Sequence, residues 1–169
     1  QTARYTATKM FTSILPAERL TDQNRYPVLQ QHFIGWEVRT QESIFEPEVA
    51  TFMDFSIPQK GNTRFIYVLP TAKNKALVEY TLFSEKLLPK AEYEVAIQEY
   101  LEELGVTEYT IHSKEQGSIP MTAFPFEQFN SKNILHIGTA GGWTRGSTGY
   151  TFTYTLKRTE HLIAFLKAE

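Results

Sequence analysis

A glycine-rich stretch near the carboxyl end, residues 137–150, constrains the fold of this chain most strongly. It reads I-G-T-A-G-G-W-T-R-G-S-T-G-Y and holds five of the nine glycines in the sequence. The apolar run before it, 133–137, predicts a buried strand, and residues 148–167 after it carry helical periodicity. Glycine permits positive φ and lets a backbone approach a ligand closely. Strand, glycine loop and helix in this order are typical of a cofactor-binding loop, although glycine turns also join ordinary strands and helices.

The rest of the chain predicts an α+β fold. Alternating or short apolar runs predict strands over residues 26–40, 51–57, 64–69, 75–83 and 107–114. The middle three follow one another through short turns, which favours an antiparallel sheet. Residues 89–104 predict one amphipathic helix across that sheet, with a proline at its start and Gly105 at its end. The glutamate-rich face of this helix, which includes Glu92, is interpreted as solvated.

Composition excludes several classes of protein. The net charge is −2 and Lys and Arg are scattered, so nucleic-acid binding is not expected. There are no cysteines, and the four histidines show no ligand spacing, so no metal site is expected. No apolar run reaches the length of a membrane span. The aromatic content of 14% predicts either a bulky core or an aromatic-lined pocket for a long apolar ligand.

Six stretches, collinear along the chain, resemble one known family. They are Q-H-F-I-G-W at 31–36, M-D-F at 53–55, F-I-Y-V-L-P at 65–70, L-V-E-Y-T at 77–81, G-S-I-P-M at 117–121 and G-T-A-G-G-W-T-R-G-S-T-G-Y at 138–150. Together they resemble the lycopene cyclases, carotenoid-ring-forming flavoproteins related to the p-hydroxybenzoate-hydroxylase type. The resemblance implies the end of a dinucleotide-binding half over 1–16, a substrate domain over 17–132, and a flavin-contacting strand, glycine loop and helix over 133–169.

The resemblance also implies an activity and its cofactors. The expected reaction is the acid-catalysed cyclisation of linear carotenoid ends of lycopene, to β-rings, with reduced FAD and with NAD(P)H as its reductant. The expected location is cytoplasmic, peripheral at the membrane, with Phe124, Phe126 and Phe129 as an exposed apolar contact. The G-x-G-x-x-G motif with which the family opens does not occur in this sequence. We therefore interpret the chain as the C-terminal portion of a larger cyclase, or as a truncated paralogue, and expect it to be inactive by itself.

The resemblance assigns the glycine loop to the flavin. Thr139 stands where the related hydroxylases have an aspartate, which favours a cyclase over a hydroxylase. Gly146 replaces a proline that is common in the family, which predicts a more flexible loop. The residues expected to bind the cofactor are Gly138, Thr139, Ala140, Gly141, Gly142, Thr148, Gly149 and Tyr150.

Two acids are the candidates for catalysis. Glu79 is a lone carboxylate among apolar strand residues, and burial would raise its pKa and make it a general acid. The alternative is a glutamate that faces water at a sheet edge, but the family's acidic segment places its first acid here and Tyr80 replaces the second. Asp54 is the second candidate, with a turn-stabilising role as the alternative. The aromatic residues expected to line the substrate are Phe52, Phe55, Tyr67, Tyr80, Phe83 and Trp143.

The sequence also fits two other functions. One is another flavoprotein of the same superfamily, such as a hydroxylase or a geranylgeranyl reductase, against which Glu79 and Thr139 argue. The other is a non-catalytic module that binds a carotenoid or another long lipid.

Overall fold

The protein divides into two compact units. A computed structural model describes residues 3–15, 18, 20 and 24–168. The sheet unit comprises Leu29–Pro120, and the loop unit comprises the described residues before Leu29 and from Met121 onward. The strands are β1 (Met10–Thr12), β2 (Leu29–Thr40), β3 (Thr51–Asp54), β4 (Arg64–Ala72), β5 (Lys75–Ser84), β6 (Tyr109–Met121) and β7 (Ile134–His136), and the helices are α1 (Lys90–Glu103) and α2 (Phe152–Ala168).

The sheet unit is built on one five-stranded sheet with the order β3-β4-β5-β2-β6. Strands β3 and β4, β4 and β5, and β5 and β2 pair antiparallel. Phe33 contacts Gly117 and the Arg39 carbonyl accepts a hydrogen bond from Thr110, so β6 also runs opposite to β2. The predicted α+β class with an antiparallel sheet is confirmed. The strand predicted over 107–114 begins later and continues to Met121.

Helix α1 covers one face of this sheet. It begins at Lys90 after Pro89, whose fixed φ suits a helix start, and ends before Gly105, which adopts a φ of 77°. Its buried side chains pack on even-numbered residues of β2 and β5, which alternate toward the helix. Leu104, beyond the end of the helix, is exposed. The core residues are Ile34, Trp36, Val38, Phe45, Ile57, Ile66, Val68, Ala76, Val78, Tyr80, Leu82, Tyr93, Ile97, Tyr100, Leu101 and Val106.

A buried arginine joins the sheet to α1. The Arg64 side chain is 4% exposed, and its guanidinium donates to the Tyr80 hydroxyl and to Glu92 Oε1, both at 2.9 Å. A second donor of the guanidinium reaches Asn62 Oδ1 at 2.6 Å. A buried charge is stable only when it is paired. The interpretation of Glu92 as merely solvated is therefore wrong, because its carboxylate neutralises Arg64.

The loop unit contains a parallel strand pair and the second helix. Strands β1 and β7 pair in parallel, with Met10 opposite Ile134. Helix α2 begins at Phe152, four residues later than predicted, because Thr148 and Gly149 donate their backbone N–H groups to the Arg145 carbonyl in a turn. The predicted apolar stripe of α2 is largely exposed, and none of its residues is buried. Among the described residues, no helix is long and apolar enough to cross a membrane.

The phenylalanines expected to contact a membrane instead form an internal cluster. The Phe124 ring lies 5.1 Å from Phe126 and 5.6 Å from Phe129, and it also meets Tyr26 at 5.3 Å. Phe126 is 3% exposed. The prediction that these three side chains form an exposed patch is wrong, because a one-turn helix over Phe126–Phe129 turns them onto one another.

Candidate functional site

The glycine loop folds into a one-turn 3-10 helix, Gly138–Gly141, directly after β7. Gly142 closes this turn with a φ of 70°, and the Trp143 N–H donates to the Gly138 carbonyl at 3.0 Å. A positive φ is disfavoured for residues with a side chain. Residues 134–142 therefore fold as predicted, from a strand into a glycine turn. Helix α2 follows later in the chain.

Three residues of the loop serve its internal packing. Ala140 is fully buried, and a β-carbon at Gly141 would lie 2.1 Å from the His136 carbonyl oxygen. A β-carbon at Gly146 would lie 2.5 Å from the Thr122 carbonyl oxygen. Close backbone approach explains the glycine at 146, so the prediction that Gly146 makes the loop flexible has no support here.

Other residues of the loop leave their backbone accessible. Gly138 has a φ of 60°, and a β-carbon there would meet nothing within 4 Å. The Thr139 hydroxyl hydrogen-bonds with Thr144 at 3.0 Å, and Thr144 accepts from Thr151 at 3.0 Å, which ties the loop to the start of α2. Tyr150 is 52% exposed. The predicted cofactor residues thus separate into an accessible set and a buried set that shapes the loop.

Trp143 lies in the loop unit beside an apolar cavity of about 440 Å³. The indole is 6% exposed, and the Arg158 guanidinium lies 6.0 Å from its ring centroid. The role of Trp143 in lining a substrate stays a prediction. The apolar side chains that line this cavity beside it are Met10, Phe11, Ile134, Leu135, Leu162, Phe165 and Leu166.

In the sheet unit, the Glu79 side chain lies on the face opposite α1. Alternation along β5 sends Val78 and Tyr80 toward the helix and Glu79 away from it. Glu79 Oε1 accepts a hydrogen bond from the Thr81 hydroxyl at 2.7 Å. Its register partners are Gly35 on β2 and Tyr67 on β4.

The surroundings of Glu79 favour the protonated carboxyl. Burial raises the pKa of Glu79 to about 7, and a hydrogen bond and charge repulsion from Glu115 act in the same direction. The hydrogen bond from Thr81 opposes this shift. Burial and the Glu79 charge also raise the pKa of the Tyr67 hydroxyl. A carboxyl that titrates near neutral pH can both donate and accept a proton there.

A cluster of aromatic rings lies on the same face of the sheet as this carboxyl. The Phe65 ring lies 5.3 Å from Tyr67, 5.4 Å from Phe55 and 6.1 Å from Phe83. Phe52 extends the cluster and lies 5.4 Å from Tyr67. The structure therefore brings together four of the six predicted substrate-lining residues. Sequence reasoning missed Phe65, although its odd number in β4 placed it on the same face as Tyr67.

Tyr80 does not belong to this aromatic face. Its ring is 2% exposed and packs toward α1, 6.2 Å from Tyr93, with its hydroxyl bonded to Arg64. Tyr80 and Phe83 lie on opposite faces of the sheet because side chains alternate along a strand, and the role of Tyr80 in lining a substrate stays a prediction. Tyr80 holds the buried arginine in place.

Asp54 is also separated from Glu79. Its carboxylate accepts from the Ser56 backbone N–H at 2.9 Å and from the Tyr100 hydroxyl of α1 at 2.8 Å. Hydrogen bonds from the Ser56 side chain and backbone, and then from Tyr100, lower the pKa of Asp54. Asp54 is therefore ionised at neutral pH and fastens β3 to α1. This geometry fits the turn-stabilising alternative, and the catalytic role of Asp54 stays a prediction.

His32 and His136 form hydrogen bonds within the fold. His32 is 1% exposed and bonds with Tyr93 at 2.6 Å and Ser84 at 2.7 Å. The His136 backbone N–H donates to Asn130 Oδ1 at 2.8 Å. Within the part of the chain that the structure describes, no group of three His, Cys, Asp or Glu side chains could hold a metal ion.

The fold is similar to that of a protein of known structure. The crystal structure of a geranylgeranyl bacteriochlorophyll reductase-like protein from Thermoplasma acidophilum has a similar fold, with a TM-score of 0.53. It is 13% identical and the match covers 75% of this chain and 30% of that one. At this identity the likeness concerns the fold alone.

The family is shown by sequence. The family described as lycopene cyclase protein matches residues 11–168, and the chain belongs to this family, as the six stretches predicted. A lycopene beta-cyclase from a Paracoccus species is 27% identical over 129 residues, which is 73% of this chain and 33% of that relative. The chain thus spans about a third of the length of the curated relative that it matches.

Proposed function

We propose that this chain carries the proton-transfer face of a lycopene cyclase that closes β-rings at the ends of a linear carotenoid. The observation that carries the proposal is Glu79, a half-buried carboxyl with a pKa of about 7 on an aromatic face of the sheet. Family membership and the likeness to a lycopene beta-cyclase support the same reaction. The low identity to the reductase-like structure does not favour a reductase.

The reaction needs an acid and then a base at one position. The Glu79 carboxyl donates its proton to the terminal C=C of the carotenoid, which leaves a tertiary carbocation. An inner C=C attacks this carbon and forms the ring C–C bond. Loss of a proton from the carbon beside the new cation forms the ring double bond, and the Glu79 carboxylate accepts that proton. The product is an isomer of the substrate, and Glu79 returns to its starting state.

Aromatic rings stabilise the cation between these two proton transfers. The faces of Phe65 and Tyr67 carry electron density that attracts a positive charge, worth about 0.5–2 kcal/mol for each ring. Both rings lie on the face that carries Glu79. These residues therefore supply a proton and an apolar, electron-rich surface together.

The loop fits a flavin at its accessible positions. The open space and positive φ at Gly138 let another group approach the backbone closely. The residues that would hold FAD are Gly138, Thr139, Gly142, Gly149 and Tyr150, while Ala140 and Gly141 set the shape of the loop. Reduced FAD, kept reduced by NAD(P)H, would supply electron density that stabilises positive charge.

A matched pair of glycine variants tests this assignment. Gly138 and Gly105 both have positive φ and open space, so alanine at either position imposes similar backbone strain, about 1–2 kcal/mol. We expect Gly138→Ala to lower the flavin absorbance that is retained on the purified full-length gene product, whereas Gly105→Ala retains it. Equal flavin content in both variants would remove the loop as the flavin site.

Pigment analysis tests the proposed reaction. The complete gene is expressed in a lycopene-accumulating bacterium, and the carotenoids are separated by chromatography. We expect ring-containing products with the wild-type gene. Carotenoids with fewer double bonds would instead indicate a reductase, and unchanged lycopene that copurifies with the protein would indicate a binding module.

We also propose that the protein acts at the cytoplasmic surface of a membrane, because a linear carotenoid is apolar and resides in the bilayer. Flotation of the full-length protein with liposomes tests this location. A folded protein that remains entirely at the bottom of the gradient would contradict it.

A further inference from the structure

A glycine in the middle of β2 separates two glutamates. Gly35 is the register partner of Glu79 on β5. A β-carbon at Gly35 would lie 2.9 Å from Cγ and 3.1 Å from Oε1 of Glu115 on β6. The Glu115 side chain therefore lies over the backbone of Gly35 and extends toward β5. Any side chain at position 35 would occupy the space through which the two carboxyls face each other.

A second glycine, Gly117 on β6, makes room for an aromatic ring. A β-carbon at Gly117 would lie 2.5 Å from Cζ of Phe33, so the tip of the Phe33 ring occupies the space over Gly117. Leu77 bounds the other side, with its Cδ1 3.1 Å from the same position above Gly35. The side chains of Glu115 and Leu77 thus both lie over Gly35, on the face of the sheet that carries Glu79. The Glu115 carboxyl is close enough to Glu79 to hydrogen-bond with it.

We propose that Glu115 is a positioning residue that forms an acid pair with Glu79 across Gly35 and shares one proton with it. This inference rests on the proposed function, which it deepens. Glu79 is half-buried whereas Glu115 is exposed, so the shared proton resides on Glu79, the less solvated carboxyl. Two neighbouring carboxylates repel each other, so the state in which both are ionised is disfavoured.

The pair assists both proton transfers. While Glu79 is protonated, its O–H donates to the Glu115 carboxylate, which holds the acid in one orientation. When Glu79 gives its proton to the terminal C=C, two adjacent carboxylates remain and repel each other. That repulsion makes Glu79 a stronger base for removing the proton from the cyclised cation. The proton returns to Glu79 and the pair is restored.

Among the residues that the structure describes, polar groups of three strands face Glu79. They are the Glu115 carboxyl from β6, the Tyr67 hydroxyl from β4 and the Thr81 hydroxyl from β5 itself, whereas Gly35, its register partner on β2, carries no charge. Farther along the same face, Glu37 is already neutralised by Lys75 at 2.6 Å. Removal of the Glu115 charge should therefore lower the pKa of Glu79, whereas removal of the Thr81 hydroxyl should raise it.

Variants of Glu115 in the full-length gene product test the pair. Glu79 must be protonated to act, so activity falls as pH rises through its titration. In Glu115→Gln we expect this fall to move to lower pH by about one unit, the scale of a neighbouring charge. Glu115→Asp keeps the charge and should lie nearer the wild-type profile. Glu108→Gln, which removes an exposed glutamate just before β6, should leave the profile unchanged.

A second variant keeps Glu115 and moves it. Gly35→Ala places a methyl group where the Glu115 side chain lies, so we expect the same direction of change as in Glu115→Gln. Alanine is tolerated within strands, and a thermal melt confirms that the variant folds. A wild-type pH profile in both Glu115→Gln and Gly35→Ala would overturn the pair.

Infrared spectroscopy separates this inference from the proposed reaction. The C=O stretch of the protonated Glu79 carboxyl is the band that disappears in Glu79→Gln, and its titration is followed in each variant. A titration that shifts in Glu115→Gln supports the pair even if no ring product forms, in which case the proposed function alone fails. Ring formation with an unshifted titration overturns the pair and leaves the proposed function standing.

Discussion

Gly35 and Glu79 lie opposite each other in the register between β2 and β5, and the missing side chain of Gly35 decides what the Glu79 carboxyl faces. With any other residue at position 35, a side chain would separate Glu79 from Glu115. Gly35, the glycine of the Q-H-F-I-G-W stretch, thus allows the acids of the two neighbouring strands, β5 and β6, to face each other.

Substitution of Glu79 by glutamine should abolish ring closure. Glutamine keeps the shape of the side chain but cannot donate the acid proton, so we expect a loss on the order of 10²-fold or more. Glu79→Asp keeps a carboxyl one methylene farther back and should retain part of the activity. Pigment composition in a lycopene-accumulating host measures this, with protein level and flavin content determined in parallel. Cyclisation at the wild-type rate by Glu79→Gln would show that Glu79 is structural.

The same substitution should stabilise the fold at higher pH. The pKa of Glu79 is raised from 4.5 to about 7, so the folded state binds more protons than the unfolded state between these values. Stability therefore falls as pH rises through that window. We expect Glu79→Gln to melt at a higher temperature than wild type at pH 8, with a smaller difference at pH 4.5. A difference that is constant across this range would contradict the raised pKa.

Asp54→Asn should show the opposite dependence on pH. The pKa of Asp54 is lowered, so its contribution to stability is present above the unfolded pKa, about 3.9, and is lost as pH falls through the folded value. We expect the asparagine variant to be less stable than wild type at pH 7 and to approach it in acid. Thermal melts from pH 7 downward measure this. If Asp54→Asn is as stable as wild type at neutral pH, the hydrogen bond from Tyr100 contributes nothing to the free energy of unfolding.

Tyr80→Phe should affect stability rather than catalysis. The hydroxyl accepts a hydrogen bond from the buried Arg64 guanidinium, and its loss leaves a buried donor unsatisfied, at a cost of about 1–3 kcal/mol. The ring lies on the α1 face, away from Glu79, so cyclisation for each folded molecule should not change. Denaturant unfolding and pigment analysis together test this. A large loss of activity at unchanged stability would return Tyr80 to the substrate-lining set.

The phenylalanine cluster of the loop unit should behave as core. Phe126→Ala removes a buried ring and should cost about 3–5 kcal/mol of stability. Phe152→Ala, at a ring that is 74% exposed in the same unit, is the matched control and should change stability by less than about 0.5 kcal/mol. Thermal melts of the full-length protein compare the two. Equal effects would mean that Phe126 is not buried in the folded protein.

Local sequence signals predicted most elements of the fold. The helix was predicted over 89–104 and found at Lys90–Glu103, because an apolar stripe, a proline and a glycine all mark the same ends. The apolar run over 75–83 predicted a strand, which is found as β5 at Lys75–Ser84. The start of α2 was predicted too early, since Thr148 and Gly149 have no local signal that distinguishes a turn from a first helical turn.

The candidate site was predicted only in part. Glu79 stood out because a carboxylate interrupts an apolar strand, whereas Glu115 lies in the polar stretch H-S-K-E-Q, where a glutamate attracts no attention. Asp54 carried the same signal as Glu79 but accepts hydrogen bonds that keep it ionised. A lone acid in a strand therefore indicates an unusual environment without revealing which partners it meets.

The sequence by itself determined the family and the antiparallel sheet with its covering helix, since periodicity and motif order are properties of neighbouring residues. Only the tertiary structure decided that Glu115 reaches Glu79 over Gly35, that the Tyr80 hydroxyl accepts a hydrogen bond from Arg64, and that Asp54 accepts one from Tyr100. Each of these contacts joins distant parts of the chain through strand register or helix packing. Register is fixed by the summed burial of many residues across strands, which no single stretch of sequence contains.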